Sequence, residues 1–141
     1  MALLSVENLS VVYQTRTGPF TAVDHISFDL EEGQSLGIVG ESGCGKTTVG
    51  MSLMRLLPKN GRVTAGRIRF NATDLLGLSD PAMQAIRWKQ ISMIFQAAMN
   101  AWNPVQRVGD QIIEAIRTHH PETSKKDAAS QVAKLYPAAD I

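Results

Sequence analysis

The sequence predicts an α/β fold organised around a phosphate-binding loop, and three observations carry that prediction. Gly40-Glu41-Ser42-Gly43-Cys44-Gly45-Lys46-Thr47 spells G-x-x-x-x-G-K-T. Just before it, Ser35-Leu36-Gly37-Ile38-Val39 is a short apolar run, the pattern of a buried parallel strand. Just after it, Val49, Leu53, Met54, Leu56 and Leu57 recur at helical spacing until Pro58 and Gly61 end the pattern. Strand, glycine-rich loop and helix in that order are the context the motif requires.

The motif nearly dictates a ligand, a nucleoside triphosphate with Mg²⁺. Gly40, Gly43 and Gly45 let the backbone wrap closely and aim its N–H groups at phosphate oxygens. Lys46 has the reach for the β- and γ-phosphates, and the Thr47 hydroxyl suits Mg²⁺. The helix that follows, with Thr48 in its first turn, points its positive end at the same phosphates. Glu41, Ser42 and Cys44 complete the loop, and Cys44 reads as a small filler with only Lys46 as a basic neighbour. The other reading of the octapeptide is a glycine-rich turn that holds no ligand.

Around this centre the other elements follow in order. Leu4, Val6, Leu9, Val11 and Tyr13 alternate imperfectly and predict one or two extended stretches, broken at Gly18-Pro19. Val23, Ile26, Phe28 and Leu30 predict another, closed by Glu31-Glu32-Gly33-Gln34. Gly66 to Phe70 alternates as a strand with one buried face. Asp80-Pro81 opens a helix, with Asp80 as its cap, that runs to about Trp88 or Lys89. Ile91-Ser92-Met93-Ile94-Phe95 reads as an apolar strand ending at Gln96. Asn103-Pro104 looks like a second cap followed by Pro, with Val105, Val108, Ile112, Ile113 and Ile116 on one helical face. Ser124 and Asp127 have capping-box spacing for a last helix that buries Ala128, Val132 and Leu135 and stops at Pro137. The chain is thus sheet-rich up to Gln96 and helical beyond it, which places a boundary there: residues 1–96 and residues 97–141.

Composition narrows the class. At 141 residues, with 44% hydrophobic and 19% charged residues, the chain is long and apolar enough for a core. A net charge of +1 predicts no nucleic-acid partner. A single cysteine excludes a disulfide framework. No apolar run approaches the roughly 18 residues of a membrane span, and the first residues lack the pattern of a signal peptide. Together with the need for an ATP pool, this predicts a cytoplasmic location.

The layout resembles the ATP-binding subunit of ABC transporters from Leu3 to about Ile116. Tyr13 in Val11-Val12-Tyr13 looks like that family's aromatic loop, which implies a ring stacked on adenine, a base-tolerant contact. The bland alternative is a tyrosine filling the sheet edge. Gln96 looks like the family's Q-loop glutamine, which implies a side-chain oxygen near Mg²⁺ and the attacking water. Met93 to Gln96, then Asn103-Pro104-Val105 and Val108 to Ile112, are similar to the oligopeptide, dipeptide and nickel importer branch. Ala97 and Ala98 depart from it, since an acidic residue and proline often follow the glutamine, and Ala72 stands near a frequent glycine.

The resemblance implies a P-loop NTPase core of ABC type, with an N-terminal antiparallel β part and the start of a helical subdomain. It implies ATP and Mg²⁺ as cofactors, with Lys46 and Gln96 serving catalysis. It implies two partners: transmembrane permease subunits, met through loop 97–104, and a second ATP-binding subunit, with the assembly on the inner face of the membrane. Met99 and Trp102 in that loop fit either a binding anchor or packing against the helices that follow.

The family's remaining machinery is the Walker B strand with its catalytic Glu, the Leu-Ser-Gly-Gly-Gln signature and a switch histidine. None of these stands within the 141 residues, so the fold is expected to be incomplete and the chain to be the N-terminal part of a longer ATPase. His119-His120 reads as a solvated helix end and His25 carries no signal. The full-length protein is then a transport-coupled ATPase, while this stretch binds MgATP with negligible turnover. The competing reading is a nucleotide-binding regulatory or truncated module that neither transports nor hydrolyses. A different P-loop class, such as a nucleotide kinase, would not call for Tyr13 or the Gln96 region.

Overall fold

A computed structural model describes residues 2–95 and 102–138. The chain divides into two compact units, Met1–Met93 and Ile94–Ile141.

The first unit is built on a long hairpin. Strand β1 (Leu4–Thr15) pairs antiparallel with β2 (Gly18–Leu30). Thr15 faces Gly18 across a two-residue turn, where the Thr15 hydroxyl donates to the Gly18 carbonyl at 2.6 Å. On its other side β1 pairs with β3 (Gly61–Phe70), and the short β4 (Thr73–Asp74) closes an antiparallel sheet of order β2-β1-β3-β4. The imperfect alternation of β1 has a structural cause. The ladder slips between Val6 and Leu9, with Asn8 at a φ of 49°, so Val6, Leu9 and Val11 all reach the core. Side chains take over where the ladder fails: the Asn8 N–H donates to Ser27 Oγ at 2.8 Å and the His25 N–H to Ser10 Oγ at 3.0 Å.

Helix α1 (Lys46–Leu53) and helix α2 (Asp80–Ile86) complete this unit. Val49 from α1 and Met83 from α2 join Val6, Leu9, Val11 and Ile68 of the sheet in one core. Helix α1 ends earlier than its apolar pattern predicts, because Arg55 turns left-handed at a φ of 50°. The cap of α2 is Ser79 rather than Asp80: Ser79 Oγ accepts from the Ala82 N–H, and Asp80 occupies the first turn beside Pro81. The helix stops at Ile86, short of Trp88, since Arg87 is already extended and Trp88 has a φ of 69°.

Two expected strands do not form. Ser35–Val39 joins no ladder, and Val39 is 93% exposed. Ile91–Phe95 makes one parallel bridge, Arg87 to Ile91, and then leaves Ile94 91% exposed. A strand is defined by its neighbour, and a parallel neighbour is reached only by a long crossover. Among the described residues no strand lies beside either run.

The second unit pairs helix α3 (Val108–His119) with helix α4 (Lys125–Ala138). Asn103 does not cap α3; that position belongs to Arg107. Asn103 Oδ1 instead accepts from the Val105 N–H, and Gln111 clasps the same turn, accepting from Asn103 N–H and donating to its carbonyl. Val105 is therefore outside the helix and exposed. Half of the expected capping box of α4 forms: the Asp127 N–H donates to Ser124 Oγ at 3.1 Å, but the Asp127 carboxylate accepts from the Ser124 hydroxyl at 2.6 Å instead of from its backbone N–H. Ala128 and Val132 are buried, Leu135 is not, and Pro137 stands in the last turn.

Candidate functional site

The glycine-rich loop runs from Gly40 into Lys46, the first residue of α1. Its last glycine sets the geometry. Gly45 has a φ of 98°, and a Cβ there would stand 2.4 Å from the carbonyl oxygen of Ala22. The start of α1 thus lies directly on the backbone of β2, an approach only glycine allows. No side chain caps this helix. The N–H groups of Gly45, Lys46 and Thr47 find no acceptor among the described residues, so they remain available to a ligand.

The loop and the β1–β2 hairpin enclose a cavity of about 180 Å³. Gly43, Gly45, Lys46, Thr47 and Thr48 line one side of it. Tyr13, Phe20 and Ala22 line the other. Among the described residues its lining holds one charge, the Lys46 ammonium, and no carboxylate. Lys46 Nζ donates to the carbonyls of Gly40 at 2.7 Å and Glu41 at 2.6 Å, and lies 3.5 Å from Cys44 Sγ. The loop curls around its own cation and holds it at the cavity. A lysine is a flexible point charge with three donors, so it can trade carbonyls for phosphate oxygens without a change of backbone.

Tyr13 reaches the loop from the sheet. Its hydroxyl stands 3.3 Å from Thr48 Oγ1 in the first turn of α1. Its ring lies against Gly61, where a Cβ would come within 2.5 Å of Tyr13 Cε1. The ring is therefore held on both its edge and its tip.

The structure brings Tyr13, Gly43, Gly45, Lys46, Thr47 and Thr48 to one cavity. Gly40 and Glu41 act through their carbonyls on Lys46, and exposed Cys44 sits against the same ammonium. Ser42 lies in the loop, exposed. Gln96 and Met99 fall outside the described residues, and Trp102 is 43% exposed. Sequence reading missed Phe20. The signal lay in the hairpin register: with Thr15 opposite Gly18, Tyr13 must oppose Phe20.

A larger cavity, about 460 Å³, lies between α3 and α4 in the second unit. Asp110 and Glu114 line it together with Arg117 and Lys125, so its charges offset one another. It has neither the donor-rich backbone nor the single charge that marks the loop site, and the loop site is the better candidate. Among the described residues no group of acidic, histidine or cysteine side chains could hold a metal on its own, and no helix is long and apolar enough to cross a membrane.

Residues 23–140 match the family model described as ABC transporter. The chain is 48% identical over 134 residues to the dipeptide transport ATP-binding protein DppD of Bacillus subtilis, covering 94% of this chain and 40% of that protein. It is 42% identical over 140 residues to the oligopeptide transport ATP-binding protein OppD of Escherichia coli, covering 99% of this chain and 41% of that protein. The chain thus spans about two fifths of the length of these relatives. In solved structures its fold is similar to the ATP-binding cassette MJ0796, a dimer bound to ADP and Pi. The TM-score is 0.82 at 18% identity, over 98% of this chain and 57% of that one. The antiparallel sheet with its loop-borne helix is accordingly the N-terminal part of an ABC ATPase fold, and the chain belongs to the ABC transporter family, in the branch that holds these dipeptide and oligopeptide transport ATP-binding proteins.

Proposed function

We propose that this chain binds MgATP at the loop of residues 40–48, within a subunit that couples ATP binding and hydrolysis to the import of peptides or a similar small solute. The observation that carries this is the junction of loop and helix. Among the described residues, uncapped backbone donors and one ammonium, with no carboxylate, converge on one cavity. That set suits a polyphosphate. Gly43, Gly45 and the amides that follow would hold the phosphates, with Lys46 at the β- and γ-positions. Gly40, Glu41, Ser42 and Cys44 shape the loop, and Thr48 anchors it to Tyr13. The Thr47 hydroxyl is the side chain here that would hold Mg²⁺, which offsets phosphate charge when bound. Tyr13 gives the cavity an aromatic wall for the base.

The rest of the proposal draws on the family. Residues 1–96 form the first part of the ATPase core and residues 97–141 open a helical subdomain. Gln96 acts beside Lys46 in catalysis and serves Mg²⁺. Loop 97–104 meets the transmembrane permease subunits on the inner face of the membrane, and a second ATP-binding subunit completes the pair. Phosphoryl transfer to water depends on charge stabilisation from every side of the γ-phosphate. Residues 40–48 supply one side, so this stretch binds MgATP without turning it over, and the full-length protein is the ATPase.

The test is MgATP binding and hydrolysis by the 141-residue chain and by the full-length protein, each beside Lys46→Ala. Lys46-dependent binding by both, with turnover only in the longer one, supports the proposal. Turnover by the shorter chain refutes the division of labour. Recovery of membrane subunits in a pull-down of the full-length protein supports coupling, and their absence favours a regulatory nucleotide-binding module.

A further inference from the structure

Phe20 is the exposed aromatic of the hairpin. It is 56% exposed, stands directly opposite Tyr13 in the β1–β2 ladder, and lines the same cavity as the glycine-rich loop. Opposed residues of an antiparallel pair project to the same face, within side-chain reach of each other. The two rings differ in freedom. Tyr13 is tied by its hydroxyl to Thr48 and packed on Gly61, whereas no described side chain covers the open face of Phe20. An exposed phenylalanine at a strand end has no hydrogen bond to satisfy and loses water only when something flat and apolar settles on it. The cavity beside it is also lined by the loop proposed to take a polyphosphate, and a nucleotide is the ligand that joins such a group to a flat ring.

We infer that Phe20 is a second base-contact residue, stacking the nucleobase alongside Tyr13, with the Tyr13 hydroxyl fixing the distance between this platform and α1. The inference rests on the nucleotide reading of the loop and adds a residue to it. An aromatic contact of this kind changes affinity by about 5- to 150-fold on truncation.

The experiment compares MgATP with a base-free ligand, magnesium tripolyphosphate, by titration calorimetry on the full-length protein, for the parent, Phe20→Ala, Phe20→Tyr and Lys46→Ala. The expected result is that Phe20→Ala weakens MgATP about 5- to 150-fold, leaves tripolyphosphate unchanged, and is rescued by Phe20→Tyr, which keeps the ring. Lys46→Ala weakens both ligands. Parent-like MgATP affinity in Phe20→Ala overturns the inference and leaves the nucleotide reading standing. Equal weakening of both ligands in Phe20→Ala also overturns it, because the change then acts through the loop. Binding of neither ligand by the parent overturns the nucleotide reading, and the inference with it.

Discussion

Arg87 Nε donates to the carbonyl of Met54 at 2.9 Å, and its Nη2 donates to the carbonyl of Arg55 at 3.0 Å. Met54 is the residue that caps α1. The helix whose first turn faces the cavity is thus held at its last turn by the residue that ends α2. Arg55 returns the favour in kind, donating to the Leu78 carbonyl at 2.6 Å and to Asp80 at 3.1 Å. A positive group at a helix C-terminus also complements the macrodipole. Through this exchange α1 is fixed at both ends, by β2 and Tyr13 at one and by Arg87 at the other.

Replacing Arg87 by Ala leaves two part-buried carbonyls without their donor. The expected loss is about 1–3 kcal/mol of stability, read as a lower urea midpoint. Arg87→Lys restores little of it, because an ammonium cannot serve two carbonyls in the fixed geometry of a guanidinium. An unchanged midpoint in Arg87→Ala removes the claim that this contact anchors α1.

Gly45→Ala places a methyl group 2.4 Å from the Ala22 oxygen at a φ of 98°. Both the clash and the backbone conformation oppose it, so α1 must shift away from β2. The expected outcome is a loss of MgATP affinity of at least about tenfold together with a lower melting temperature, the backbone alone costing about 1–2 kcal/mol. Calorimetric titration and a thermal melt of the same preparation check both.

Lys46→Ala separates binding from folding. Among the described residues its ammonium bonds to the loop around it, at Gly40, Glu41 and Cys44. A charge-assisted contact to phosphate contributes about 1.5–3 kcal/mol, so MgATP affinity should fall by about 10- to 150-fold while the circular dichroism spectrum and the melt stay parent-like. A destabilised Lys46→Ala would show that the ammonium holds the loop together.

Ser124→Ala tests the second unit by itself. It removes the hydroxyl that serves both the Asp127 N–H and the Asp127 carboxylate. The expected cost is about 0.5–2 kcal/mol, seen as reduced helicity and increased hydrogen exchange in the first turn of α4. MgATP affinity should not change.

Local chemistry was legible residue by residue. The octapeptide from Gly40 announced a turn into a helix, and Lys46 and Thr47 stand at that turn as their spacing demands. Ser124 meets Asp127 because its two bonds lie within one helical turn. The apolar residues of β1 pointed to a strand, though the slip at Asn8 that brings Val6 and Leu9 to one core could not be read from alternation. The cap of α2 stands one residue before Asp80 for a simple reason: Ser79 and Asp80 are both good caps, and the bond to Ala82 chooses between them. Leu135 looked buried because periodicity marks a face and cannot say whether anything covers it.

What the sequence determined on its own was structure of short range: the glycine-rich loop, the helix it opens, the Ser124 cap and the apolar rhythm of the hairpin. Each depends on residues within a turn or two of one another, and backbone stereochemistry decides it. Tertiary structure alone decided the rest. It left Ser35–Val39 without a partner strand among the described residues and gave Ile91–Phe95 a single bridge, since a strand exists only where another lies beside it. It set Gly45 on the Ala22 carbonyl and tied Tyr13 to Thr48. It turned Phe20 toward the loop, because the register of a hairpin, once its turn is set, carries a residue to a face that composition cannot name.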